Sequence, residues 1–305
     1  MTDDVLTVTM NPAVDHTLRI DEPLTSGAVA RTDDAQFDAG GKGINVSKYL
    51  TALDVSAPAT GFLGGPFGRM IRTQLDDDGV PGEFVEIPDR TRLNTTVLSP
   101  DAEYKINHDG PTVGDDAVSN LVERVAANDP DTVVVAGSLP VGVTTDAVDR
   151  IARAGEWDTA VDMSGSFLTD LDAEYLVCKP NREELHEATG LPVDTVSECA
   201  AAADELRTCG FRYVVASLGP DGALLVSESE TTHAPAADAD VVDTVGAGDA
   251  LLSGFLAGLA RGESETVALR TGVAVAARVV AVSGTRVPDF DGVFDARDAV
   301  DVSSP

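Results

Sequence analysis

The chain has 305 residues and a mass of 31.6 kDa, enough for one large domain, or a domain with a sub-domain, around a substantial core. Apolar residues make up 43% of it and the mean hydropathy is +0.01, which excludes a disordered tail; no apolar run reaches the roughly 18 residues of a membrane-spanning helix. The 52 acidic residues against 21 basic ones give a net charge of −31, which repels nucleic acid and anionic membrane surfaces; with an acidic first segment, Met1-Thr2-Asp3-Asp4, where a secretory signal is basic, the expectation is a soluble, cytoplasmic protein with neither partner.

In chain order, residues 5–10 form an apolar run that predicts a strand, ended by Asn11-Pro12. Strand-like alternation follows over 14–20 and 29–37, split by the turn Thr25-Ser26-Gly27. The Gly-rich segment Ala39-Gly40-Gly41-Lys42-Gly43-Ile44-Asn45 leads into a helical pattern over 46–53. Residues 57–63 predict a strand and 67–75 a helix. Three short strands are expected at 83–87, 94–98 and 103–107, the last two joined by the turn Ser99-Pro100-Asp101-Ala102. From residue 115 onward helical stretches alternate with apolar strands at 132–135, 159–162, 174–177 and 213–216, a pattern of right-handed βαβ units in a parallel sheet. Residues 222–227 and 231–234 predict an antiparallel edge, and 247–283 two long Ala-rich helices. The expected fold class is therefore α/β: a central, mainly parallel sheet flanked by helices. The β-rich pieces at about 11–38 and 82–110 are expected to build a small sheet of their own, a lid.

Ligands of such sheets bind beyond the carboxyl ends of the strands. The segment with most chemistry is Asp243-Thr244-Val245-Gly246-Ala247-Gly248-Asp249, at the start of an apolar helix. Its glycines leave bare N–H groups where the helix dipole favours an anion. Asp249 in the first turn is either a dipole partner or a base beside a bound phosphate; the two glycines favour the base. No GxxxxGK[ST] loop is present, since Gly43 follows Lys42, and the dinucleotide fingerprint lacks its third glycine. Cys178, Cys199 and Cys209 carry no metal-ligand spacing and are expected as reduced core thiols. His16, His108, His186 and His233 form no zinc motif.

The 243–249 segment resembles the C-terminal signature of the ribokinase-like (PfkB) family of carbohydrate kinases, and Gly40-Gly41-Lys42-Gly43-Ile44-Asn45-Val46 resembles its N-terminal signature. Gly137-Ser138-Leu139-Pro140, Lys179-Pro180-Asn181-Arg182-Glu183-Glu184 and Ser217-Leu218-Gly219-Pro220-Asp221-Gly222 lie between them in the family's order. Thr9-Met10-Asn11-Pro12-Ala13-Val14-Asp15 and Thr91-Arg92-Leu93-Asn94 resemble the phosphosugar branch. The resemblance covers essentially all of residues 1–305 as one ribokinase-like domain with its lid. It implies ATP-dependent phosphorylation of a phosphosugar: fructose 1-phosphate first, fructose 6-phosphate or tagatose 6-phosphate as alternatives. Asp249 would be the base, with Gly246, Ala247 and Gly248 stabilising the transferred group. Asp15, Gly40, Gly41 and Asn45 would hold the sugar, and Arg92 its existing phosphate, with Ser138 either bonding that phosphate or closing a strand exit. Lys179, Asn181, Ser217, Gly219, Pro220, Asp221 and Gly222 would line the ATP site; Asn181 and Glu184 would order water around Mg²⁺. The segment around Asp243, Val245, Gly284 and Arg286 is similar to the part of the family that holds K⁺, and the lid implies a homodimer.

The composition bears on this reading. With 36 Asp, 16 Glu, 17 Arg and 4 Lys, it resembles that of proteins from extreme halophiles. Of the four lysines, Lys42, Lys105 and Lys179 fall inside candidate motifs. Lys42, Arg92 and Lys105 are the candidate phosphate clamp, and Lys48 is expected as a solvated helix residue.

Overall fold

The computed structural model describes residues 4–305. Its large sheet starts from β1 (Val5–Thr9), a strand buried along its whole length. β1 is flanked on one side by β4 (Ala59–Leu63) and β5 (Val85–Glu86) and on the other by β8 (Thr132–Ala136), β9 (Asp158–Asp162), β10 (Tyr175–Cys178) and β11 (Phe211–Ser217), all parallel. β12 (Ala223–Val226) pairs antiparallel with β11, and β13 (Thr231–Ala234) pairs antiparallel with β12 to close the sheet. Strands covered on both faces read as continuous apolar runs. In β8, Val133 and Val135 enter one core while Val134 and Ala136 enter the other.

One core lies under α3 (Asp115–Asn128), α4 (Thr145–Ala152), α5 (Gly165–Leu168), α6 (Arg182–Thr189) and α7 (Val196–Arg207), through Leu121, Val125, Ile151, Leu185 and Leu206. The opposite core lies under α1 (Lys42–Ala52), α8 (Ala247–Ala260) and α9 (Glu265–Val279), through Leu50, Leu252, Phe255, Leu269 and Val275. α6 and α7 begin in capping boxes, Asn181 with Glu184 and Thr195 with Glu198, which satisfy amides that a helix start leaves free. The last helix, α10 (Val293–Ala296), buries Val293 against the same core as α9.

A separate four-stranded sheet has the order β3 (Ala35–Gly40), β2 (Ala13–Arg19), β6 (Arg92–Leu98), β7 (Glu103–Asn107). β2 pairs antiparallel with β3 and parallel with β6. Val14 and Ala39 anchor this sheet to Ile71 and Leu75 of α2 (Gly65–Asp77).

Two expected elements and one cysteine depart from expectation. The 83–87 stretch was assigned to the lid, but it supplies β5, the edge of the large sheet, where Val85 opposite Phe62 is buried in the first core. The strand expected at 29–37 runs from Ala35 to Gly40, because residues 21–34 have nothing to pack on and Val29 is 75% exposed. Cys178 and Cys199 are buried thiols as expected, whereas Cys209 is exposed in the turn after α7.

Candidate active site

The carboxyl ends of the parallel strands deliver Asn11 after β1, Ser138 after β8, Asp162 at the end of β9, Lys179 after β10 and Ser217 at the end of β11. The N-termini of α1 and α8 point to the same edge, as the general rule for such sheets requires.

α8 opens on Gly246, whose φ of +80° suits glycine alone, and a Cβ there would fall 2.6 Å from the Tyr49 hydroxyl. This turn leaves the amides of Gly248 and Asp249 without a backbone partner among the described residues, while the Ala247 amide makes a long bond to the Thr244 carbonyl at 3.3 Å. Asp249 is 7% exposed and its Oδ2 accepts a hydrogen bond from Asn45 Nδ2 at 2.7 Å. Burial, and next the Asp162 carboxylate, push its carboxyl up to about 7, with Asn45, Lys179 and Lys42 opposing. Burial and the charge of Asp249 also raise the Tyr49 hydroxyl above the usual tyrosine range.

Asp162 is fully buried and sits between two ammonium groups. Lys42 Nζ donates to its Oδ1 at 2.7 Å and lies 3.6 Å from Glu184, while Lys179 Nζ is 3.4 Å from Oδ2. Burial works against the charge on Lys42, but Asp162 and Glu184 outweigh it and hold the amine above the usual lysine range. Lys179 also reaches over Gly248: a Cβ there would stand 3.1 Å from its Nζ. Positive charge is thus concentrated at the anion-seeking end of α8.

On the other flank, Asp15 Oδ1 accepts from Asn94 Nδ2 at 2.9 Å, and burial raises its carboxyl, opposed by Asn94 and Arg92. Gly40 pairs with Ala13 beside it, and Gly41 is the N-cap of α1. Arg92 donates its Nε to the Asn11 carbonyl at 3.2 Å, and burial lowers its pKa against the pull of Asp15. No carboxylate lies within ion-pair distance of Arg92 among the described residues. In so acidic a protein, a half-buried guanidinium left without one is a ready anion receptor.

Toward β11, Asn181 and Glu184 are joined in the capping box, and Asn181 bridges to Ser217. Gly219, Pro220 and Asp221 form a 3₁₀ turn that ends on Gly222. Asp221 itself faces Arg182 at 2.6 Å, so its carboxylate serves the turn. Asp243 ties the other loop: its Oδ2 accepts from Gly284 N at 2.9 Å and its Oδ1 from Val245 N at 3.0 Å.

Three lysines depart from expectation. Lys105 lies on the exposed strand β7, paired with Glu103 at 3.2 Å, and Lys42 is taken up by Asp162 and Glu184, so the structure does not assemble Lys42, Arg92 and Lys105 into one clamp. Lys48, expected in solvent, is 8% exposed and pairs with Asp78 at 2.9 Å. The sequence motifs include neither Asp162 nor Tyr49; the linear signal for Asp162 is a carboxylate at a strand's carboxyl end.

An activated carboxylate, a helix N-terminus with free amides, two lysines and an unpaired arginine together define a phosphotransferase acting on a hydroxyl. The comparisons agree. Residues 8–290 match the family described as pfkB family carbohydrate kinase. A 1-phosphofructokinase of Haloferax volcanii is 57% identical over 300 residues, 98% of this chain and 98% of that one. A 1-phosphofructokinase of Bacillus subtilis is 34% identical, covering 88% of this chain and 90% of the other. The structure of Escherichia coli phosphofructokinase-2 in complex with potassium superposes with a TM-score of 0.88 at 27% identity, over 97% of this chain and 99% of that one. The chain belongs to the pfkB family of carbohydrate kinases, and its fold is ribokinase-like. Among the described residues, no helix is long and apolar enough to cross a membrane.

Proposed function

We propose that the protein is an ATP-dependent 1-phosphofructokinase, converting fructose 1-phosphate and ATP to fructose 1,6-bisphosphate and ADP. The observation that carries this is the buried, proton-seeking Asp249 at the amides of α8, with unpaired Arg92 across the site. Arg92 and Ser138 receive the existing phosphate, while Asp15, Gly40, Gly41 and Asn45 hold the sugar. As the sugar hydroxyl attacks, its proton passes to Asp249, the new P–O bond forms in line, and the bond to ADP breaks. The amides of Ala247, Gly248 and Asp249, together with Lys179, stabilise charge on the group in transit.

ATP phosphates lie along Lys179, Asn181, Ser217 and the turn from Gly219 to Gly222. The adenine enters a cavity of about 590 Å³ between the 235–239 loop, Ala274 and Ala277 of α9, and Ala281 in the turn after it. The donor chemistry fits Mg²⁺: Asp162 Oδ2 is a buried carboxylate oxygen without a hydrogen bond, and Glu184 turns Oε1 away from its cap. Among the described residues no three His, Cys or acidic side chains group around one point, which suits an ion that keeps several waters and binds mainly through substrate phosphates. Asp162 and Glu184, with Asn181 through water, would hold it; when bound it offsets the charge of the ATP phosphates. K⁺ is proposed at the Asp243, Val245, Gly284 and Arg286 segment, through backbone oxygens.

The test is coupled ADP release in molar KCl with fructose 1-phosphate, fructose 6-phosphate and tagatose 6-phosphate. The expected result is highest kcat/KM for fructose 1-phosphate, a loss of about 10²–10⁴-fold in Asp249→Asn, and lower kcat when tetramethylammonium replaces potassium. Preference for a 6-phosphate would overturn the substrate; silence with all three would overturn the reaction.

A further inference from the structure

Asn11 leaves the end of β1 and is 4% exposed. It touches both groups that face the candidate phosphate site. Its Nδ2 donates to Ser138 Oγ at 3.1 Å, and its main-chain oxygen accepts from Arg92 Nε at 3.2 Å. The return from the small sheet packs against it, since a Cβ on Gly110 would fall 2.4 Å from Asn11 Oδ1. That oxygen is buried without a hydrogen-bond partner.

These contacts fix the polarity of two neighbours. A hydroxyl whose oxygen already accepts from an amide offers its own proton outward. An arginine whose Nε is tied to a carbonyl keeps its two Nη groups as a planar pair of donors. Asn11 thus turns Ser138 and Arg92 from independent side chains into a unit biased toward donation: one Ser138 lone pair is taken by the amide, and Arg92 has no acceptor. A phosphate, which only accepts, matches such a unit; a neutral sugar hydroxyl does not require it.

We propose that Asn11 is the positioning residue that aligns and polarises Ser138 and Arg92 toward the phosphate already carried by the sugar. The inference rests on the phosphosugar reading above. It also predicts an unusual order of severity. Asparagine to aspartate conserves shape but reverses the polarity: the carboxylate takes the Ser138 proton and adds negative charge beside the phosphate. Removal of the side chain in Asn11→Ala merely releases Ser138.

The experiment measures two quantities in molar KCl on the parent, Asn11→Ala and Asn11→Asp. Titration with inorganic phosphate, followed by calorimetry, reports on the donor pair without turnover. Kinetics report the KM for fructose 1-phosphate, the KM for ATP and kcat separately. In Asn11→Ala, phosphate affinity falls and the KM for fructose 1-phosphate rises, each by about tenfold, as expected for loss of one aligned hydrogen bond to a charged group; kcat and the KM for ATP stay within about twofold. Asn11→Asp is worse on both phosphate readouts. An unchanged phosphate affinity, a parallel loss in all three kinetic constants, or a milder Asn11→Asp would overturn the assignment. A parent that binds phosphate through Asn11 but phosphorylates none of the sugar phosphates would keep the assignment and overturn the reaction instead. Should Asn11→Ala fail to fold, the isosteric Asn11→Asp and Ser138→Ala carry the same comparison.

Discussion

Asp249 carries opposite demands. It must be ionised to accept a proton, yet burial and Asp162 raise its carboxyl to about 7 from a usual 3.8. In the free enzyme, kcat/KM should therefore fall about tenfold per pH unit below that value, as the base is protonated. The same shift has a sign in stability. With the folded-state value above the unfolded one, the folded protein holds the extra proton between about pH 4 and pH 7. Stability from this group is fully present below that window and lost as pH rises through it. Asp249→Asn never ionises, so its melting temperature relative to the parent should climb between pH 5 and pH 8, while its activity stays about 10²–10⁴-fold below the parent's. A difference independent of pH would show that Asp249 is not the group that titrates. Contiguous residues made this half of the site legible: Asp243 to Asp249 announce a helix start that binds anions in seven letters. The Asp162 cluster was not, because Lys42 meets Asp162 across 120 positions, a distance that only the strand order closes. Lys48 failed for the same reason, since its partner Asp78 belongs to the end of a different helix.

At the level of elements, α8 is held in place by close approach to α9. A Cβ on Gly254 would meet the Gly272 Cα at 2.7 Å and the Thr271 carbonyl at 2.8 Å, both backbone atoms that cannot swing aside. Gly254→Ala gains about 1 kcal/mol of helix propensity but must spread two packed helices, at about 1–3 kcal/mol. The net expectation is a lower denaturation midpoint together with a lower kcat, because moving α8 displaces the amides at its start. A variant as stable and active as the parent would show that the helices yield freely. The strands of the large sheet were readable because β8, β9, β10 and β11 are short apolar runs between helical stretches. β5 was not, because two residues carry too little pattern to say which sheet they join; the partner Phe62 decides it.

For the molecule as a whole, a net charge of −31 sets the conditions under which any of this can be observed. Screening shortens from about 10 Å at 0.1 M salt to about 3 Å at 1 M, so self-repulsion of the folded state is relieved at high salt. The small sheet presents Phe37, Tyr104 and Ile106 to solvent at 40%, 44% and 59% exposure, and we propose that two copies of the chain pair through this sheet. Raising KCl from 0.1 to 2 M should then increase the melting temperature and shift the sedimenting mass toward twice 31.6 kDa. A monomer at both concentrations would remove the pairing, and a melting temperature indifferent to salt would remove the electrostatic argument. Composition alone announced the charge, but not where the exposed apolar residues gather, which depends on how β3 and β7 become the two edges of one sheet.

The scarcity of lysine leaves a chemical handle. All four lysines face a carboxylate, but the side chains of Lys42, Lys48 and Lys179 are 36%, 9% and 3% exposed, whereas that of Lys105, beside the half-exposed Glu103, is 62% exposed on the outer strand of the small sheet. An amine-directed fluorophore would therefore react first with Lys105 among the lysines, marking the outer strand of the small sheet. Its emission during turnover would follow that sheet as substrate arrives and product leaves.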